Sequence, residues 1–225
     1  MYSRRITIDE VIPWGKTFHE YQQYFSLQDT DLNKTIACFG DGASSFNSEL
    51  TQLGKKIISF DPIYNFSAFD LEKRFYETLE QFKLQINFEK PHVDTIVQEV
   101  ISSRETATKM FLSDLEKGKE EKRYLTHLLP KEISFGNNFF DLGLISHFLL
   151  MYDDLGIDFH IQSITEILRV CKEVRIYPIL NIYGQTSTVL NPFIDYLKEK
   201  NFDIKFISIN YKFNSIGKLF LKINN

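Results

Sequence analysis

Gly40, Gly42, Asp61, Ser146 and His147 are the residues whose types and spacing point to chemistry. The two glycines lie in "FGDGASSFNSEL", directly after the apolar, β-rich run Thr35 to Phe39. Glycine at the tip of a strand lets a ligand approach the backbone closely, because no Cβ intervenes. A loop that cradles nucleoside triphosphates needs Lys and then Ser or Thr after its second glycine. Here Gly42 is followed by Ala43, Ser44 and Ser45, so that chemistry has no support. The dinucleotide fingerprint asks for a third glycine, and Ser45 stands in its place. Asp61 follows Gly40 by 21 residues, at the end of the next apolar run. A carboxylate there accepts both hydroxyls of a ribose lying across the strand tips. The helix opening near Ser45 is expected to offer unpaired N–H groups and a positive dipole end. Together these features describe a site for an adenosine-containing ligand. A tight turn at the glycines and an ordinary strand-to-turn boundary at "DP" are the plainer readings of the same residues. His147 titrates, when unperturbed, in the range that suits a base near neutrality. The alternative for it is an imidazole fixed by a backbone hydrogen bond.

Positioning these residues requires strands whose tips lie side by side. Thr35–Phe39 and Ile57–Phe60 read as strands, joined by a helix bearing Phe46, Leu50 and Leu53 on one face and stopped by Gly54, with Pro62 ending the second strand. Such a βαβ unit crosses over right-handed between parallel strands. Residues 65–123 read as a helical insertion or cap. Its apolar stripes are Phe75, Leu79, Phe82, Ile86, then Val93, Ile96, Val97, Val100, then Met110, Phe111, Leu115 before Gly118, and the charged run Glu116–Arg123 reads as a solvated helix end. "YLTHLL" before Pro130 is a candidate strand, and "FFDLGLISHFLL" a strong one. The helix "DFHIQSITEILRVCKEV", with Asp158 as N-cap and Ile164, Ile167, Leu168 and Cys171 inward, precedes the strand "VRIYPILNIYG". A helix with Pro192 in its first turn and two strands joined by "NSIG" close the chain. Residues 1–30, with helical "HEYQQYFSL" and Trp14, Tyr21, Tyr24 and Phe25, read as a lid over the ligand or a helix packed on the sheet. The expected architecture is an α/β, Rossmann-like sheet of seven mostly parallel strands with helices on both faces, formed by residues 1–225 as one domain.

The 225 residues are 43% hydrophobic and 15% aromatic, enough for a sizeable core, and the net charge of -4 disfavours a general nucleic-acid binder. Cys38 and Cys171 lack metal or redox spacing and read as reduced buried thiols of a cytoplasmic protein. The N-terminus has no apolar signal region, and the longest apolar run, Leu142 to Tyr152, is too short to span a bilayer. No membrane association is expected, and oligomeric state is left open.

"FGDGASSFNSEL", "ISFDPIY", "FDLGLISHFLLMY" and "ITEILRVCKEVRIYPIL" resemble motifs of class I S-adenosylmethionine-dependent methyltransferases, over residues 32–60 and 139–223. The chain also resembles a smaller group of uncharacterised bacterial methyltransferase-like proteins sharing "GDG-x-x-SFN" and "S-H-F-L". The resemblance implies an antiparallel last strand inserted between strands five and six. It implies S-adenosyl-L-methionine as cofactor, held by Gly40, Asp41, Gly42, Asp61, Pro62 and Ser146, and a methyl acceptor of the small-molecule class. The acid that the family carries in its first strand is absent, since Ile36 and Cys38 stand there; Asp41 is the candidate to replace it.

Methyl transfer is an in-line displacement at a sulfonium carbon, so a protein must align the acceptor, exclude water and remove one proton. His147 is then the candidate catalytic base, and Tyr24 and Tyr152 the candidate acceptor contacts. Asp153, Asp154, Asp158 and His160 have ligand types suited to Mg²⁺, but capping and solvent exposure account for them more simply, and no metal is expected. The competing functions are a non-catalytic adenosyl-ligand binder and an NAD-dependent oxidoreductase, with RNA methylation disfavoured by charge.

Overall fold

The computed structural model describes residues 7–86, 95–209 and 217–225. Its centre is a seven-stranded sheet in the order β3-β2-β1-β4-β5-β7-β6. β1 (Ile36–Phe39) pairs in parallel with β2 (Ile57–Phe60) on one side and β4 (Phe140–Ser146) on the other. β3 is only Tyr124–Leu125, a much shorter strand than "YLTHLL" predicts. β5 (Cys171–Tyr177) is parallel to β4. β7 (Leu219–Asn224) runs antiparallel to β5 and to β6 (Asp203–Ser208) and lies between them. This is the strand order expected from the methyltransferase resemblance, in a Rossmann-like, mostly parallel sheet. The "NSIG" link falls largely outside the described residues, as does Val93.

Continuous apolar runs become central strands because both of their faces are covered. From β1, Ile36 and Cys38 pack with Leu142 and Leu144 under α1 (Phe18–Tyr24) and α3 (Phe46–Gln52). Ala37 and Phe39 face the opposite layer, where α6 (Ile157–Val170) and α7 (Leu190–Glu199) supply Ile164, Ile167, Leu168, Phe193 and Leu197. A short helix, α2 (Asp29–Leu32), leads into β1. The insertion consists of two helices, α4 (Ala68–Gln85) and α5 (Thr95–Glu120).

Several local expectations are corrected. Leu53 is exposed, because α3 ends at Gln52 before that turn can face inward. α5 runs through Gly118 to Glu120, so Gly118 does not stop it. Arg123, placed in a solvated run, is buried and makes a two-pronged bond to Asp114 (2.7 and 2.8 Å). Gly156 takes the N-cap position of α6 and Asp158 lies in its first turn, while Cys171, buried as expected, is both the C-cap of α6 and the first residue of β5.

Candidate functional site at the β1, β2 and β4 tips

β1 stands between β2 and β4, and the chain connects from it first to one side and later to the other. In an open α/β sheet the crevice outside the carboxyl ends of strands at such a reversal is where ligands bind. The residues singled out from sequence meet there. Gly40 and Gly42 both adopt left-handed backbone, with φ of 63° and 62°. The Gly42 N–H donates to Asp61 Oδ2 (2.9 Å), and Ile63 N–H donates to Oδ1 (2.9 Å), with Pro62 beginning the short 3-10 turn that Asp61 caps. Asp61 therefore points at the glycine turn. Each carboxylate oxygen accepts one backbone bond and keeps lone-pair capacity for further donors. Burial raises the Asp61 carboxyl to about 6, with the bonds from Ile63 and Gly42 offsetting part of the rise. A Cβ added at Gly42 would meet nothing within 4 Å, so open space adjoins the turn there, whereas one at Gly40 would lie 2.6 Å from the Phe148 ring.

Two expectations about this turn are revised. At the start of α3 two of the amides are already taken: Ser45 N–H donates to the Lys16 carbonyl (3.0 Å) and Phe46 N–H to Ser44 Oγ (3.1 Å). Asp41 is not a free acid in the turn. It accepts bonds from the hydroxyls of Tyr21 and Ser59 (2.5 Å to Ser59) and lies in a buried chain that continues through Asn47 to Arg123. Burial and the neighbouring Asp61 charge push the Asp41 carboxyl up to about 7, against the bonds from Ser59 and Tyr21.

At the β4 tip, Ser146 Oγ lies 2.9 Å from His147 Nδ1. The His147 N–H donates to the Tyr177 carbonyl (2.6 Å), and its φ of 52° is a left-handed conformation uncommon for a side-chain-bearing residue. Its ring meets Tyr24 (5.0 Å between centroids) and Tyr177 (5.3 Å) edge to face. Burial, with the Lys16 and Arg104 charges, holds the imidazole well below its usual range, so it is neutral at pH 7. Tyr24 is buried, stacked on Tyr177 and bonded through its hydroxyl to Glu20 Oε1 (3.0 Å). Tyr152 is 39% exposed beside Phe148, and burial together with the Asp61 charge raises its phenol. The sheet thus brings Gly40, Gly42, Asp61, Ser146, His147, Tyr24 and Tyr152 to one edge.

Sequence reasoning singled out the N-terminal segment but missed the clasp that holds it. Residues 13–17 cross the glycine turn: the Lys16 carbonyl also accepts from Ser44 Oγ (2.9 Å), and a side chain at Gly15 would collide with the Ala43 carbonyl. Arg104 of α5 donates to the Gly15 carbonyl (2.5 Å) and to both carboxylate oxygens of Glu20. Burial opposes ionisation of Glu20, but the Arg104 bonds and charge outweigh it and hold the carboxyl at about 2. The signal was present in "GKTFHE", because Thr17 and Glu20 form the capping box that opens α1. The Arg104 partnership, 84 residues away, leaves no local signature.

Among the described residues no cluster of three metal-ligating side chains exists. Asp153 accepts from Thr188 N–H (2.9 Å) and Asn181, and His160 is buried with its two ring nitrogens 2.6 Å from the Gly156 and Leu149 carbonyls. Among those residues, too, no helix is long and apolar enough to cross a membrane.

No family model matches the chain. It is 31% identical over 227 residues to uncharacterized protein MJ0045 of Methanocaldococcus jannaschii, covering 98% of this chain and 99% of that protein. The chain belongs to that protein's family. Solved structures similar to this family member include the methyltransferase domain of bacterial CtHen1-CN, at a TM-score of 0.49 and 11% identity over 91% of this chain and 99% of that one. Another is a SAM-dependent methyltransferase from Aquifex aeolicus, at 0.41 and 12% over 92% and 87%. A third is a putative S-adenosyl-L-methionine-dependent methyltransferase from Methanococcus maripaludis, at 0.45 and 11% over 92% and 82%.

Proposed function

We propose that this protein is an S-adenosylmethionine-dependent methyltransferase acting on a small molecule. The observation that carries the reading is the Asp61 carboxylate bonded to the Gly42 amide at adjoining strand tips. It puts a buried acceptor with spare lone pairs beside an unobstructed glycine, which fits a ribose whose hydroxyls donate to the carboxylate. Gly40, Gly42, Asp61, Pro62 and Ser146 would line the cofactor, and Asp41 would act through its backbone, its carboxylate being committed to Tyr21 and Ser59. When bound, the cofactor supplies an activated methyl on a sulfonium. The chain's own part is alignment and exclusion of water. Tyr24, Tyr177 and His147 form an aromatic wall, closed by the strap that Arg104 and Glu20 clasp. Tyr152 lies at the exposed side, where an acceptor would enter. His147, neutral at pH 7 and held by Ser146, would orient the acceptor by a hydrogen bond.

Calorimetry with S-adenosylmethionine, S-adenosylhomocysteine and NAD tests the reading. Binding of the two adenosyl ligands at micromolar level, with none of NAD, is the expected result. Asp61→Ala should weaken it by about 1–3 kcal/mol, the range for losing a hydrogen bond to a charged group. NAD binding with no adenosyl-sulfur ligand bound would replace the methyltransferase with an oxidoreductase.

A further inference from the structure

We propose that Lys16, the amine on the strap over the glycine turn, is the group that takes the proton from the methyl acceptor; this rests on the methyltransferase reading. The strap fixes its position, with the Lys16 carbonyl held by Ser44 Oγ and Ser45 N–H and the preceding carbonyl held by Arg104. The side chain is only partly exposed. Among the described residues its ammonium has no hydrogen bond or ion pair. The carboxylates of α1, of the glycine turn and of the α3 start are committed to other partners. Glu20 of α1 is bonded to Arg104, Asp41 to Tyr21 and Ser59, and Glu49 of α3 to Ser45 Oγ (2.5 Å) and Phe18 N–H (3.1 Å). The charges that act on Lys16 are Arg104 from α5 and Glu20 from α1, and Lys16 in turn acts on His147 at the β4 tip. A lysine left without a counter-ion in an enclosed cluster readily gives up its proton.

Burial, then the Arg104 charge, lowers the Lys16 amine to about 7, with Glu20 opposing. A base is most effective when its affinity for the proton matches the working pH. Lys16 meets that condition, and His147, held well below its usual range, does not. In the step, an acceptor O–H or N–H uses its lone pair to form the new bond to the methyl carbon. The carbon–sulfur bond breaks, and its electron pair stays on sulfur as a thioether. The acceptor's proton passes to the lone pair of Lys16 Nζ, and the resulting ammonium returns it to water. Burial of Lys16 beside Arg104 favours this return.

The test needs no acceptor. In the full-length protein, with its lysines reductively ¹³C-methylated, the Lys16 signal is assigned by its loss in Lys16→Arg and, should that variant fold poorly, in Lys16→Gln. It should titrate near pH 7 in the free protein. S-adenosylmethionine and S-adenosylhomocysteine differ by one methyl and one positive charge at the reacting sulfur. An amine beside that sulfur should titrate at lower pH with the sulfonium ligand than with the thioether. Equal midpoints in the two complexes would overturn the proposal. So would an upward shift in both, which is the signature of an amine paired with the ligand's carboxylate. Parallel calorimetry separates the two levels: if neither ligand binds, the methyltransferase reading falls and this proposal with it, whereas binding with equal midpoints removes only Lys16.

Discussion

Replacing Asp61 with Asn separates what the carboxylate costs the fold from what it gives a ligand. Asp61 is 7% exposed, and its carboxyl is raised from 3.8 to about 6. A group whose folded-state value is raised stabilises the protein below its unfolded value and loses that contribution as pH climbs through the folded value. At about 1.4 kcal/mol for each unit, the wild type gives up about 3 kcal/mol from this group between pH 4 and pH 7. Asn cannot ionise and escapes the loss. Its amide NH₂ must, however, face one of the two N–H donors, Gly42 or Ile63, and leave it unpaired, at about 1–3 kcal/mol. That second cost is the same at every pH. Urea unfolding at pH 4.5 and 7.5 should therefore show Asp61→Asn losing stability at the lower pH and recovering about 2–3 kcal/mol relative to wild type at the higher. Removing the charge also lowers the Asp41 carboxyl, which Asp61 helps to raise, and this adds to the recovery. Adenosyl-ligand affinity should move the other way. In wild type it should fall by about tenfold from pH 7 to pH 5, as Asp61 is protonated through about 6, and in the variant it should be weak and flat. A stability difference independent of pH, together with unchanged binding, would refute the placement of this carboxylate.

Three further outcomes follow from the strap and the turn. Arg104→Ala leaves Glu20 buried without its partner and should cost about 3–5 kcal/mol in chemical denaturation, with Arg104→Lys recovering only part, because one ammonium cannot span both carboxylate oxygens and the Gly15 carbonyl. Gly40→Ala drives a methyl into the Phe148 ring at a left-handed position, so it should destabilise more than Gly42→Ala, and Phe148→Ala should relieve it in a double-mutant cycle on unfolding free energy. Gly42→Ala faces open space and should cost stability only about 1 kcal/mol from its backbone, yet weaken S-adenosylhomocysteine binding in calorimetry, because its methyl projects where the ligand would lie.

What was legible in the sequence was what one or two neighbouring segments decide. β1, β2 and β4 announce themselves as apolar runs because a strand covered on both faces tolerates little else. The glycine turn and Asp61 were readable for the same reason: left-handed backbone at Gly40 and Gly42, and the cap that Asp61 gives to the Pro62 turn, are local. β3 was overestimated, since "YLTHLL" has strand composition but only Tyr124 and Leu125 find partners, on β2, with β3 itself at the sheet edge. Gly156 displaced Asp158 as the α6 cap because the chain arrives there in a left-handed conformation, φ 79°, which glycine alone adopts cheaply.

The electrostatics of the site were not legible, for a different reason. Asp41, Lys16 and His147 are ordinary titratable residues in sequence, and their behaviour is set by partners far along the chain. Tyr21 is 20 residues from Asp41, and Ser59 is 18; Arg104 is 84 from Glu20. The first-strand acid expected from the methyltransferase resemblance is missing, yet the turn is not short of carboxyl groups, because Asp41 and Asp61 are both buried there and the Asp61 charge helps to raise the Asp41 carboxyl. Across the crevice the insertion supplies Arg104, and Arg104 takes Glu20 away from Lys16. The same clasp that pins the strap thereby leaves its amine unneutralised. Had Glu20 paired with Lys16 instead, that lysine would be a fixed cation unable to give up its proton near pH 7. The insertion between residues 65 and 123 therefore does more than cap the sheet: through one guanidinium it decides which side chain in the crevice is free to exchange a proton.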